Sequence, residues 1–112
     1  FNNLANALLM LGEGDAVAAA EQALALAPGE VSMVGTLGWA LARAGRLDGA
    51  MRHLRDARLR APQNAEIRWH LAYVLARLGR VQEARAELQS ALQGSAVEHW
   101  VDEARALYST LP

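Results

Sequence analysis

The 112 residues include no cysteine and no lysine, three prolines, and one isoleucine and one phenylalanine. Without cysteine there is no disulfide framework, and no thiolate is present to bind metal or act as a nucleophile. So few β-branched and aromatic residues disfavour a sheet, whereas the 24 alanines and 18 leucines are strong helix formers. Unbroken apolar runs such as Leu8–Leu11 and Ala16–Ala20 reach four or five residues, far short of the roughly 20 that span a bilayer. Direct membrane insertion is not expected. A formal net charge of −1 removes the general electrostatic case for nucleic acid. The length suits a single domain over residues 1–112.

All 11 cations are arginines, and they are unevenly placed. Residues 1–42 carry four acids and no arginine, whereas residues 43–62 carry six arginines against Asp48 and Asp56. Such a block steers an acidic partner towards the middle of the chain. It equally serves as the solvated face that keeps an Ala/Leu-rich protein in solution.

Internal periodicity decides the architecture. Sliding residues 65–98 onto 31–64 aligns nine identical pairs, among them Leu37/Leu71, Leu41/Leu75, Arg43/Arg77, Gly45/Gly79, Ala50/Ala84, Leu54/Leu88 and Ala57/Ala91. The same offset of 34 links Ala16, Ala20, Ala23 and Pro28 to Ala50, Leu54, Ala57 and Pro62. Upstream, Phe1, Leu4, Ala5, Leu8 and Gly12 match Val34, Leu37, Gly38, Leu41 and Gly45 at 33, so one residue is missing from the turn between Gly12 and Ala16. Leu37, Gly38 and Leu41 form one stripe of a helix, and Ala50, Leu54 and Ala57 form the stripe of the next. Gly45 stands between them, where a positive φ ends the first helix. Asp48 is placed to cap the second helix. Pro62 closes the unit, because the residue before proline is pushed out of helical geometry. The spacing predicts seven helices, near 2–11, 15–27, 31–44, 48–60, 65–78, 82–93 and 97–110. Val97, Trp100, Val101, Ala104, Leu107, Tyr108 and Leu111 share a face of the last.

This pattern resembles the tetratricopeptide repeat (TPR), a 34-residue helical hairpin. Repeat two (31–64) carries its signature as Val34, Leu37, Gly38, Leu41, Ala50, Leu54, Ala57 and Pro62. Repeat three (65–96) carries Leu71, Ala72, Leu75, Ala84, Leu88 and Ala91, but has Arg68 where the family has a large apolar residue and Ala96 where it has proline. Repeat one (1–30) lacks its first three positions. The resemblance implies an all-α solenoid of three antiparallel hairpins, with residues 97–110 as a capping helix. Small residues at Ala5, Gly38 and Ala72 then let the two helices of a hairpin approach closely. The stretches Asn2–Ala5, Leu37–Trp39 and Ala65–Ala72 are further similar to C-terminal repeats of bacterial TPR lipoproteins associated with exopolysaccharide and exosortase systems. That likeness points to a bacterial protein, in the cytoplasm or the envelope.

What the family resemblance implies for function is a non-catalytic protein–protein interaction scaffold that holds an extended peptide or a partner helix in a concave groove. Its wall would be lined by Asn2, Asn6, Ser32, Trp39, Arg43, Trp69, His70, Tyr73 and Arg77. Aromatic rings and arginine dominate binding hot spots, and the side-chain amides of Asn2 and Asn6 can pair with a peptide backbone. The competing reading is that the rings pack on one another, or under the terminal helix, as ordinary core. The family's carboxylate clamp is not expected, because its positions hold Asn2, Asn6, Thr36, Glu66 and His70, and only Asn6 matches. Glu66/His70 and His99/Glu103 are each four apart, but two ligands do not make a metal site. No catalytic constellation, metal or cofactor is expected. Two other roles fit the same pattern: a regulatory or substrate-presenting segment of a larger enzyme or envelope assembly, and self-association through a hydrophobic edge exposed at Phe1.

Overall fold

The computed structural model describes residues 13–93 and 99–112. Among them are six helices and no strand: α1 (Glu13–Leu26), α2 (Val31–Arg43), α3 (Leu47–Arg60), α4 (Ala65–Arg77), α5 (Val81–Gln93) and α6 (Val101–Thr110). The helix expected over 2–11 and the edge at Phe1 lie outside the described residues. Each helix packs on the one that comes after it, and the pairs α2–α3 and α4–α5 make the most extensive contacts. None of the described helices is long and apolar enough to cross a membrane.

The hairpin turns arise from glycine. Gly45 and Gly79 have φ of 80° and 79°, a region in which a Cβ is strained. Behind Gly45, the Arg46 N–H reaches back to the Leu41 carbonyl at 2.9 Å and the Gly45 N–H to the Ala42 carbonyl at 3.1 Å. The same pair of bonds recurs from Arg80 to Leu75 and from Gly79 to Ala76. These bonds satisfy the last carbonyls of α2 and α4, and the chain turns back on itself. At the other end of the unit, Asn64 caps α4, its side-chain oxygen accepting from the Ile67 N–H at 3.0 Å.

Three boundaries differ from the sequence expectation. Arg46, not Asp48, is the N-cap of α3, and no side chain caps it. Asp48 stands in the first turn, where its charge still complements the helix dipole. Glu13, Gly14 and Asp15, expected in the shortened turn, are already helical, because the alanine-rich run behind them propagates forward. The last helix begins at Val101 rather than near 97, and His99 and Trp100 form a turn before it. Trp100 faces inward at 3% exposure and packs with Trp69, Leu88 and Ala91. Seating the indole there sets where α6 can start.

The core is built from the repeating small and large residues. Ala50, Leu54 and Ala57 on α3, and Ala84, Leu88 and Ala91 on α5, have no exposed surface. A Cβ added at Gly38 would lie 2.7 Å from Leu54 Cγ and 2.9 Å from its Cδ2, so glycine sets the separation of α2 and α3. Nearby His53 is half-buried, and its Nδ1–H donates to the Gly49 carbonyl at 2.8 Å. Val101 and Ala104 of α6 are buried against the end of the stack, and Leu107, Tyr108 and Leu111 are half-buried.

Arg68, the departure from the repeat pattern, is accommodated by charge. Its Nη1 donates to Glu87 at 2.8 Å and its Nε to the Pro62 carbonyl at 2.9 Å. Arg58 of α3 pairs with the other oxygen of Glu87. Glu87 is thus a buried carboxylate held between two hairpins by two guanidiniums. The apolar filling moves to the flanking residues, Ile67 at 6% and Trp69 at 3% exposure.

α2 and α4 also touch each other directly, whereas α3 and α5 are joined chiefly by long side chains, Arg55 to Glu83 at 3.6 Å and Arg58 to Glu87. The stack therefore curves with α2 and α4 on its inner side. Two stability measurements check this packing. Gly38→Leu should overpack the α2–α3 contact and cost about 1–3 kcal/mol in chemical denaturation; an unchanged midpoint would mean that the helices are not held by this contact. Glu87→Gln should cost about 1–2 kcal/mol by loss of charge-assisted hydrogen bonds, a loss that changes little in 1 M salt because the carboxylate is buried.

Candidate functional site

The inner side of the stack carries the same short pattern twice. Trp39 and Arg43 lie one turn apart on α2, and Tyr73 and Arg77 lie one turn apart on α4. Because residues four apart share a helix face, each arginine can fold over the ring that precedes it. The Arg43 guanidinium lies over Trp39, 5.8 Å from the ring centroid, and that of Arg77 lies 5.7 Å from Tyr73. Arg77 also donates to the Tyr73 hydroxyl at 3.0 Å.

Packing of α2 on α4 merges the two motifs. Trp39 stacks on His70 with centroids 4.0 Å apart and planes 10° from parallel. It meets Tyr73 edge-on at 5.1 Å and Trp69 at 6.0 Å. Each aromatic pair contributes about 0.5–1.5 kcal/mol beyond the area it buries, so the cluster holds the two helices in register. Burial of the His70 ring, and secondarily the charge of nearby His99, push its pKa down to about 3. The imidazole against Trp39 is therefore neutral at physiological pH.

The residues read from the sequence divide into four groups. Trp39, His70 and Tyr73 are half-buried, and Arg43 and Arg77 are exposed; these five make one continuous patch. Trp69 belongs to its floor, at 3% exposure beneath Trp100 and Val101, so for this ring the reading as core is the one observed. Ser32 is exposed in the first turn of α2, away from the rings, and its carbonyl accepts from the Thr36 hydroxyl at 2.8 Å. Asn2 and Asn6 lie outside the described residues. The His99/Glu103 pair does not share a helix, since His99 precedes α6 and lies 3.6 Å from Glu66 instead. With His70 stacked on Trp39, the Glu66/His70 pair offers no open ligand set. Among the described residues no group of three His, Cys, Asp or Glu is placed to hold a metal. The Glu66–His99 contact had no signal in the periodicity, because it depends on the path of the chain into α6.

This arrangement, paired helices with close-packed small residues and an aromatic inner side, agrees with what sequence-family models find. Two tetratricopeptide repeat models match, one over residues 2–58 and one over residues 41–96. The chain belongs to the tetratricopeptide repeat family. A solved structure titled "MamA AMB-1 P212121" is similar with a TM-score of 0.68 and 28% identity, over 85% of this chain and 56% of its own. The TPR chain thus spans little more than half of that relative's length. No curated protein sequence matches it. Tetratricopeptide repeats act typically as non-catalytic scaffolds for protein partners, and the aromatic patch lies on the inner helices of this one.

Neutral His70 makes the patch sensitive to acid. Below about pH 6.5 the unfolded chain takes up a proton at this residue that the folded chain refuses until about pH 3. The stabilisation is therefore complete above pH 6.5 and is lost as pH falls towards 3. Wild-type Tm should drop more between pH 7 and pH 5 than that of His70→Phe. Equal drops would mean that the ring is solvated.

Proposed function

We propose that the chain is a non-catalytic interaction scaffold that holds an extended peptide or a partner helix along the inner sides of α2 and α4. The observation that carries this reading is the patch itself. Trp39, His70 and Tyr73 come from two repeats, interlock as rings 4.0–5.1 Å apart and remain half-exposed, with Arg43 and Arg77 beside them. Rings already fixed by their neighbours lose little conformational entropy on binding, and such anchors dominate interface energies. The finer architecture belongs to the same proposal: three hairpins and a capping helix, seven helices in all, with residues 2–11 forming the first helix of repeat one. The match of a family model from residue 2 onward supports it. Asn2, Asn6 and Ser32 would extend the groove with polar groups for a peptide backbone.

Peptide display of random dodecamers against the immobilised chain tests the reading. Enriched peptides should bind Trp39→Ala and Tyr73→Ala at least tenfold more weakly, with helical circular dichroism preserved. Enriched peptides indifferent to both substitutions would place binding elsewhere.

A further inference from the structure

The arginines of this protein fall into two kinds. Arg55, Arg58, Arg60, Arg68 and Arg80 each meet a carboxylate of the chain itself within 3.6 Å. Arg43 and Arg77 are exposed, and among the described residues neither meets one. Arg46, just past Gly45 at the same end of the hairpin, meets none either. Arg52, Arg85 and Arg105 also lack an acid but lie over no ring. Arg43 and Arg77 thus combine two properties: each is braced against a ring of the patch, and each presents donors that the described residues leave without a counter-charge.

We infer that the occupant of this face is an acidic peptide segment, read by Arg43 and Arg77 through two side-chain carboxylates about three residues apart. The inference rests on the peptide-binding reading above and names its ligand. The spacing comes from the repeat. Arg43 and Arg77 occupy equivalent positions on α2 and α4, and packed helices stand about 8–10 Å apart. A chain in polyproline II geometry advances about 3.1 Å per residue with three residues per turn, so acids at positions i and i+3 share one face and reach both guanidiniums. The residues between them then lie over the exposed edges of Trp39 and Tyr73, where an apolar side chain is favoured. Planar guanidinium recognises carboxylate through paired hydrogen bonds, and bracing over a ring fixes its plane in advance.

Other ligand chemistries fit less well. A cationic ligand would face two uncompensated arginines. Single-stranded nucleic acid needs free ring faces on which to stack its bases, and the Trp39 face is engaged by His70. The formal net charge of −1 gives such a polyanion no general attraction. The only first-turn acid of α4, Glu66, stands 11 residues from Arg77, about 16 Å along the helix. The face is therefore basic at one end, which gives the bound segment a direction.

The test uses the display selection and its synthetic peptides, amidated at the C-terminus and measured by fluorescence anisotropy. Selected sequences should share two Asp or Glu residues with two residues between them, at least one of these apolar. Changing both acids to the amides should weaken binding at least tenfold. Arg43→Gln with Arg77→Gln should cause the same loss, and combining the two changes should add little more. Neutral or basic selected peptides that still require Trp39 and Tyr73 would overturn this inference and leave the peptide-binding reading standing. So would an acidic peptide that binds the double arginine variant undiminished, or one that binds only with a free terminal carboxylate. Peptides insensitive to Trp39→Ala and Tyr73→Ala, or no enrichment at all, would sink both. Tighter binding of fluorescein-labelled oligouridylate than of any selected peptide would likewise overturn the assignment.

Discussion

With no side chain at Gly38, the backbone of α2 rests directly on Leu54 of α3, closer than any Cβ would permit. The packing of the α2–α3 hairpin depends on that separation. It buries Leu54 completely and lets Ala50 and Ala57 close around it without exposed surface. It also leaves the opposite side of α2 free to meet α4. In the next hairpin Ala72 and Leu88 lie buried in one cluster at the corresponding positions. A stack with this geometry repeats because the chain repeats its small residues every 34 positions.

Two kinds of contact then join the hairpins, one on each side. On the outer side Glu87 draws Arg58 and Arg68 together, and the Arg55–Glu83 pair lies further out. On the inner side Trp39 sits among Trp69, His70 and Tyr73. Long arginine side chains span a wider gap than interlocked rings do, so the stack curves towards the rings.

The inner side is thereby rigid, partly apolar and basic at one end. Rings that brace one another present a surface without first having to order it, and arginines lying over those rings keep their donors available. On these properties rests the proposed role of this face in holding a partner. It fits membership of a family whose repeats serve as scaffolds.

Much of this was legible in the residues. The offset of 34, the glycines at 45 and 79, and the alanine and leucine stripes are local or periodic signals, and they dictate helices, turns and stacking. The four-residue spacing put Trp39 with Arg43 and Tyr73 with Arg77, and the resemblance to the tetratricopeptide repeat assigned both pairs to one side. What each side chain meets was decided by the tertiary structure. Trp69 became floor rather than surface because Trp100 and α6 close over it. Arg68 was tolerated at an apolar position because Glu87, 19 residues away, came within reach. Periodicity states which residues share a helix face, whereas burial and charge pairing depend on distances between elements that no local pattern encodes.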